Sequence, residues 1–103
     1  MTAISGSGPA YVFYVVEAMM QAGVEMGLSE AQGRTLALAT FDGATALAAQ
    51  SPLHPSELRA QVTSKGGTTQ AAITSLDASG VKAAFVQALK AAQARAVELG
   101  DAF

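Results

Sequence analysis

Cysteine is missing from this sequence, and histidine occurs once, as His54. Without cysteine the chain has no disulfide framework, no thiol nucleophile and no thiolate ligand for a metal. One histidine is too few for a histidine-based metal site, so we expect no metal. His54 lies in a break between two prolines, and we interpret it as a structural turn residue rather than a catalytic base.

Charged residues are also scarce, at 14% of the sequence, and the formal net charge is −2. The sequence therefore contains no basic patch, which argues against a nucleic-acid partner. No uninterrupted apolar run approaches the roughly 18 residues of a membrane-spanning helix. No basic segment precedes the apolar stretch near the start, as it would in a signal peptide. We expect a cytoplasmic protein that binds neither nucleic acid nor membrane.

Hydrophobic residues, in contrast, make up half of the 103 positions. This length fits one domain with a core of its own. Such an apolar composition at this size also predicts surplus apolar surface, which we assign to an interface between subunits. Because strand-like alternation of apolar and polar residues does not occur over any length, the predicted fold class is all-α.

Glycine and proline residues divide the chain into five predicted helices. Gly27 fits the position just past the end of the first helix, and Ser29 with Gln32 forms a capping-box pattern at the start of the second. The predicted helices are Pro9–Met26, a second from Ser29 to about Ala49, Pro55–Val62, Thr68–Leu76, and a fifth from Val81 to about Leu99.

Helix Pro9–Met26 is apolar around most of its girth, with one polar stripe formed by Glu17, Gln21 and Glu25. A helix with this pattern is buried on most sides. A chain this small has little mass to bury it, so we predict an intertwined homodimer; the alternative is the central helix of a monomeric bundle. Gly43 in the second helix costs about 1 kcal/mol relative to alanine, and we attribute it to close packing against another backbone.

The stretch Val62–Ile73 is a polar turn that leads into a helical pattern, with Gly66 and Gly67 at its centre. Glycine permits tightly bent or left-handed backbone that a side chain would forbid. A helix that begins after this turn leaves its first N–H groups without intrahelical partners, and these groups with the helix dipole suit a carboxylate or phosphate. The alternative is an ordinary helix cap with no ligand.

Two segments together resemble Δ1-pyrroline-5-carboxylate reductase: Ser5–Tyr11 (Ser-Gly-Ser-Gly-Pro-Ala-Tyr), and Leu58–Thr69 with its Val-Thr-Ser-x-Gly-Gly-Thr-Thr sequence. Ala22–Val24 and Gly27–Leu28 fit the same pattern between them. Each motif alone is weak, but their order and spacing are specific. The similarity covers essentially the whole chain and the C-terminal half of that enzyme.

The resemblance implies an enzyme that reduces pyrroline-5-carboxylate to L-proline with NADPH or NADH. It also implies an N-terminal Rossmann domain and a helical C-terminal domain, similar to the C-terminal domain of 6-phosphogluconate dehydrogenase, that interleaves with a second subunit. This sequence has no Gly-x-Gly-x-x-Gly after a strand, the feature of a dinucleotide fold. We therefore expect residues 1–103 to be the dimerisation and substrate-binding domain, with the dinucleotide-binding half outside this chain.

Carried over to this sequence, the resemblance implies a substrate site at the start of the fourth helix and a cofactor contact at the start of the first. Thr69 would place its hydroxyl beside the ring nitrogen, as the catalytic residue. The substrate-binding residues would be Ser64, Gly66, Gly67, Thr68 and Thr69, and the cofactor-binding residues Ser7 and Gly8. For Ser5–Tyr11 the competing interpretation is a helix cap with proline in the first turn.

One position departs from the family pattern. Lys65 stands where many members have proline, which removes a rigid φ and adds a cation that either strengthens anion binding or is merely solvated. Two other functions stay open: a helical dimerisation module without an active site, and the helical domain of another small-acid dehydrogenase. The second would need a lysine or histidine in the cleft, and the sequence offers no convincing candidate.

The missing glycine fingerprint generates a first prediction. The isolated chain should show no reductase activity and should bind no dinucleotide. Calorimetric titration with NADPH tests this, and saturable binding at sub-millimolar concentration would contradict it.

Overall fold

The computed structural model describes residues 2–100, and every regular element in that range is helical. The prediction of an all-α fold with five helices is confirmed. A short π-helical turn, Thr2–Gly6, precedes them. The α-helices are α1 (Gly8–Glu25), α2 (Glu30–Gln50), α3 (Pro55–Gln61), α4 (Thr68–Ala78) and α5 (Val81–Glu98).

The chain divides into two compact units. The α1–α2 unit is residues 8–52, and the described part of the α3–α5 unit is residues 2–7 and 53–100. Local signals set the α1–α2 turn as predicted. Gly27 has φ +104°, and the Leu28 N–H donates to the Gly23 carbonyl (2.9 Å), which closes α1 with a Schellman motif. Ser29 and Gln32 form the predicted capping box of α2.

Helices α1 and α2 come close to each other at two glycines. A Cβ atom on Gly33 would lie 3.4 Å from the Met20 Cα atom, and one on Gly23 would lie 3.6 Å from the Gly33 Cα atom. A Cβ atom on Gly43 would have no neighbour within 4 Å in the chain. The close contact within the chain therefore lies at Gly23 and Gly33, and a role for Gly43 against another backbone stays a prediction.

In the α3–α5 unit, the π-helical turn packs against α5, and α4 packs against α5. Ala3 in the turn and Ala96 in α5 are buried, at 5% and 7% exposure. The Ser7 N–H donates to the Thr2 carbonyl oxygen (2.8 Å), which is the long bond that defines this turn. Residues 2–7 thus belong to this unit, whereas Gly8 begins the other.

Many large apolar side chains are exposed, among them Phe13 and Tyr14 of α1 at 63% and 72% exposure. The polar stripe of α1 is present as predicted, with the Gln21 side chain donating to Glu25 (3.1 Å). Among residues 2–100, no helix is long and apolar enough to cross a membrane.

The contact at Gly33 generates a second prediction. Gly33→Val should lower the free energy of unfolding by about 1–3 kcal/mol, because the new side chain meets the Met20 backbone and separates the helices. Ala31→Val is the matched control, since Ala31 is exposed on the same helix. Chemical denaturation at one fixed protein concentration measures both. Equal losses of unfolding free energy in the two variants would contradict the close contact between α1 and α2 at Gly33.

Candidate functional site

The glycine-rich turn before α4 is a type II β-turn formed by residues 64–67. The Gly67 N–H donates to the Ser64 carbonyl oxygen (3.0 Å), which closes the turn. Gly66, at the third position, has φ +76°, the left-handed value that a type II turn requires there. Lys65 has no positive φ, which excludes the type I′ alternative. Lys65 thus occupies the second position, where proline is also favoured.

The two glycines have different roles in this turn. Gly66 supplies the left-handed backbone, and a Cβ atom there would meet nothing within 4 Å. Gly67 has φ −88°, which any residue adopts, but a Cβ atom on it would lie 3.3 Å from the Ser64 carbonyl oxygen. Glycine is therefore required at position 66 for its positive φ. At position 67 it is required because Ser64 lies close to the start of the helix.

Gly67 is also the N-cap of α4, and it provides no side chain to bond the first turn of the helix. The caps of two other helices are closed by side chains: the Gln32 N–H donates to Ser29 Oγ (3.1 Å) in α2, and the Ser56 N–H donates to His54 Nδ1 (3.1 Å) in α3. His54 thus has the structural role expected of it. Helix α5 also begins after a glycine, Gly80, so an open cap alone does not identify a site.

Several donors remain available at the start of α4. The N–H groups of Gly66 and Gly67 are taken, the first by Gln70 Oε1 (2.5 Å) and the second by Ser64. In the described part of the chain, the N–H groups of Thr68 and Thr69 have no hydrogen-bond partner, nor do the Ser64 and Thr69 hydroxyl groups. These donors, with the positive end of the α4 dipole, suit one anionic group.

Exposure limits what this turn does alone. Ser64, Gly66 and Thr68 are exposed, and Gly67 and Thr69 are half-buried. An anion at an exposed helix N-terminus gains only about 0.3–1 kcal/mol from the dipole. Tight binding therefore requires further surfaces that cover the turn and exclude water.

The remaining predicted site residues, Ser7 and Gly8, are consecutive in the chain and belong to different units. Ser7 ends the segment that belongs to the α3–α5 unit, and Gly8 begins α1. Both are half-buried, and a Cβ atom on Gly8 would meet nothing within 4 Å.

The sequence interpretation missed Gln70, whose side chain holds the turn. Gln70 stands three residues after Gly67, the same spacing that Gln32 has after Ser29 in the capping box predicted from the sequence. This spacing was the available signal, but a glycine cap does not complete a capping-box motif.

Comparison with known proteins places the whole chain in one family. The family model described as pyrroline-5-carboxylate reductase dimerisation matches residues 1–99. The chain is 49% identical over 100 residues to the pyrroline-5-carboxylate reductase of Corynebacterium melassecola, with 97% of the chain and 37% of the relative covered. It is 48% identical over 101 residues to that of Pseudomonas aeruginosa, with 98% and 37% covered.

Solved structures show the same fold. A crystal structure of Plasmodium falciparum pyrroline carboxylate reductase with NADP bound matches 97% of this chain and 40% of its own, with a TM-score of 0.93 and 34% identity. The pyrroline-5-carboxylate reductase of Coxiella burnetii matches 98% of this chain and 37% of its own, with a TM-score of 0.92 and 40% identity. The chain spans little more than a third of the two curated relatives named above. It belongs to the pyrroline-5-carboxylate reductase dimerisation family.

Proposed function

We propose that this chain is the C-terminal helical domain of a cytoplasmic enzyme that reduces pyrroline-5-carboxylate to L-proline with NADPH or NADH. This is the last step of proline biosynthesis. The family match over residues 1–99 is the observation that carries the proposal. The open first turn of α4 supports it, because the substrate of the named relatives carries a carboxylate that such a turn can receive.

The substrate carboxylate binds at the start of α4. Its oxygens accept hydrogen bonds from the N–H groups of Thr68 and Thr69 and from the Ser64 hydroxyl, three of the donors that have no partner in the described chain. Gly66 and Gly67 shape the turn, and their own N–H groups are used to close it. Of the five predicted substrate-binding residues, three supply donors and two supply backbone conformation.

The Thr69 hydroxyl acts at the ring nitrogen. Hydride addition to the carbon of the C=N bond moves an electron pair onto nitrogen, so a donor at that atom stabilises the product-like transition state. A threonine hydroxyl is a weak acid in water, and its role is to hydrogen-bond the nitrogen and to relay a proton from water.

The dinucleotide, when bound, supplies the hydride. The described residues contain no strand and therefore no dinucleotide-binding fold, so this chain contributes only a minor contact, from Ser7 and Gly8. The rest of the cofactor site lies in an N-terminal Rossmann domain of the full-length protein.

A second copy of the chain covers the exposed apolar surface. Permanent dimers bury about 2,000–5,000 Å² in total, mostly apolar surface of this kind. Phe13 and Tyr14 on α1 belong to this surface. Folded monomer should then be scarce.

The role of Thr69 generates a third prediction, for the full-length enzyme. Thr69→Val should lower kcat on the order of 10²-fold with a smaller change in KM, because the bond to nitrogen strengthens as the hydride arrives. Steady-state kinetics with both substrates measures this.

Thr68→Val is the matched control, since it keeps the Thr68 N–H and removes a hydroxyl one residue away. It should leave kcat within about threefold of wild type, because its N–H donor is unchanged. Melting temperatures must be recorded beside the kinetics. A Thr69→Val enzyme with normal melting and near-normal kcat would show that Thr69 is not the catalytic residue.

The exposed face of α1 generates a fourth prediction. Tyr14→Glu should dissociate or unfold the protein, because it places a charge in the dimer interface. Gln21→Glu, on the polar stripe, should leave the dimer intact. Sedimentation equilibrium measures both. A wild-type chain that is a stable folded monomer at low micromolar concentration would overturn the proposed dimer.

The type II turn generates a fifth prediction. Lys65→Pro should raise the free energy of unfolding by about 0.4–1 kcal/mol, because proline fixes a φ that the second position of this turn adopts. The Lys65 N–H makes no hydrogen bond in the described chain that the substitution would break. Denaturation curves of the two proteins measure the difference, and a loss of stability would contradict the turn assignment.

A further inference from the structure

Three helices of this protein carry an acceptor side chain three residues after the N-cap, and in one of them the acceptor bonds a different backbone group. Gln32 accepts from the N–H of its own cap residue Ser29 (2.9 Å), and Glu57 accepts from the N–H of His54 (3.2 Å). Gln70 instead accepts from Gly66, the residue before the cap Gly67 (2.5 Å). The Gly67 N–H is already bonded to Ser64, so Gln70 reaches past the cap into the turn.

The N–H that Gln70 holds belongs to the central peptide of the type II turn. Type I and type II turns differ by a flip of that peptide, which moves φ of the third residue from about +80° to about −90°. In the observed turn Gly66 has φ +76°, and its N–H points toward the first turn of α4, where Gln70 lies. After a flip, the Lys65 carbonyl oxygen would point there instead, beside the open N–H groups of Thr68 and Thr69.

We propose that Gln70 is a positioning residue of the carboxylate site, which it keeps open by locking the turn in the type II form; this inference rests on the proposed function. With the Gln70 acceptor in place, the start of α4 presents only donors to the substrate carboxylate. Without it, the Lys65 carbonyl oxygen competes for those donors and repels the carboxylate. Gln70 is exposed, so its substitution affects the turn rather than a core.

The test uses the full-length enzyme with Gln70→Met, which keeps the size and helix preference of the side chain and removes the strong acceptor. KM for pyrroline-5-carboxylate and the inhibition constant of L-proline should rise together, about tenfold. We expect kcat to stay within about twofold and KM for NAD(P)H to be unchanged, because neither depends on the carboxylate donors.

Gln32→Met is the matched control. It removes the same kind of acceptor from the first turn of α2. It should therefore change the melting temperature about as much as Gln70→Met does, and it should leave KM unaltered. If Gln70→Met leaves KM within twofold of wild type, or if Gln32→Met raises KM equally, the inference is wrong.

A second variant tests the flip itself. Gly66→Ala disfavours the positive φ and should favour the flipped turn by a separate route, so it should also raise KM. Both changes act through one flip of the turn. The double variant Gly66→Ala/Gln70→Met should therefore raise KM by less than the product of the two single fold-changes. Strictly multiplicative effects would overturn the inference. A wild-type enzyme without imine reductase activity would instead contradict the proposed function, and the inference with it.

Discussion

A helix can offer its first N–H groups to an anion only where its own residues leave them free, and this condition governs the site. Ser29 and His54 occupy the first turns of α2 and α3 with side-chain acceptors. Gly67 does not, and the turn before it consumes only its own N–H and that of Gly66. The donors of Thr68 and Thr69 stay open as a result. The proposed substrate binding and the roles proposed for Thr69 and Gln70 all depend on this opening.

The second constraint is a shortage of buried apolar surface. It connects the candidate site to the proposed association with a second copy and a further domain. Among the described residues the buried hydrophobic side chains are few and mostly small: Ala3, Val16, Ala37 and Ala96. The donors at the start of α4 belong to residues that are exposed or half-buried, where water weakens their attraction for an anion. In the proposed full-length dimer, a second copy and the dinucleotide-binding domain cover both the apolar faces and the turn. Under that proposal, stability and catalysis depend on the same assembly.

Local patterns explain what the sequence predicts correctly. The Schellman motif at Gly27 and the capping box at Ser29 involve residues within a few positions of each other, so the residue types determine them. The contact at Gly23 and Gly33 joins two helices through a turn, and the sequence pattern did not single it out. Small residues mark such contacts, but the crossing point depends on how the helices pack.

The candidate site likewise has a part that the sequence predicts and a part that it does not. Its location follows from residue types, because Gly-Gly before Thr-Thr predicts a bent turn and a helix start. Which N–H groups remain free depends on turn type, and turn type depends on the sign of φ at Gly66 and on the bond from Gln70, neither of which the sequence displays. We propose that the open first turn of α4 receives the substrate carboxylate. A crystal structure of the full-length protein with L-proline tests it most directly. We predict a carboxylate oxygen within hydrogen-bond distance of the Thr68 and Thr69 nitrogen atoms, with Gly66 still bonded to Gln70. L-Proline bound with its carboxylate away from α4 would contradict the account.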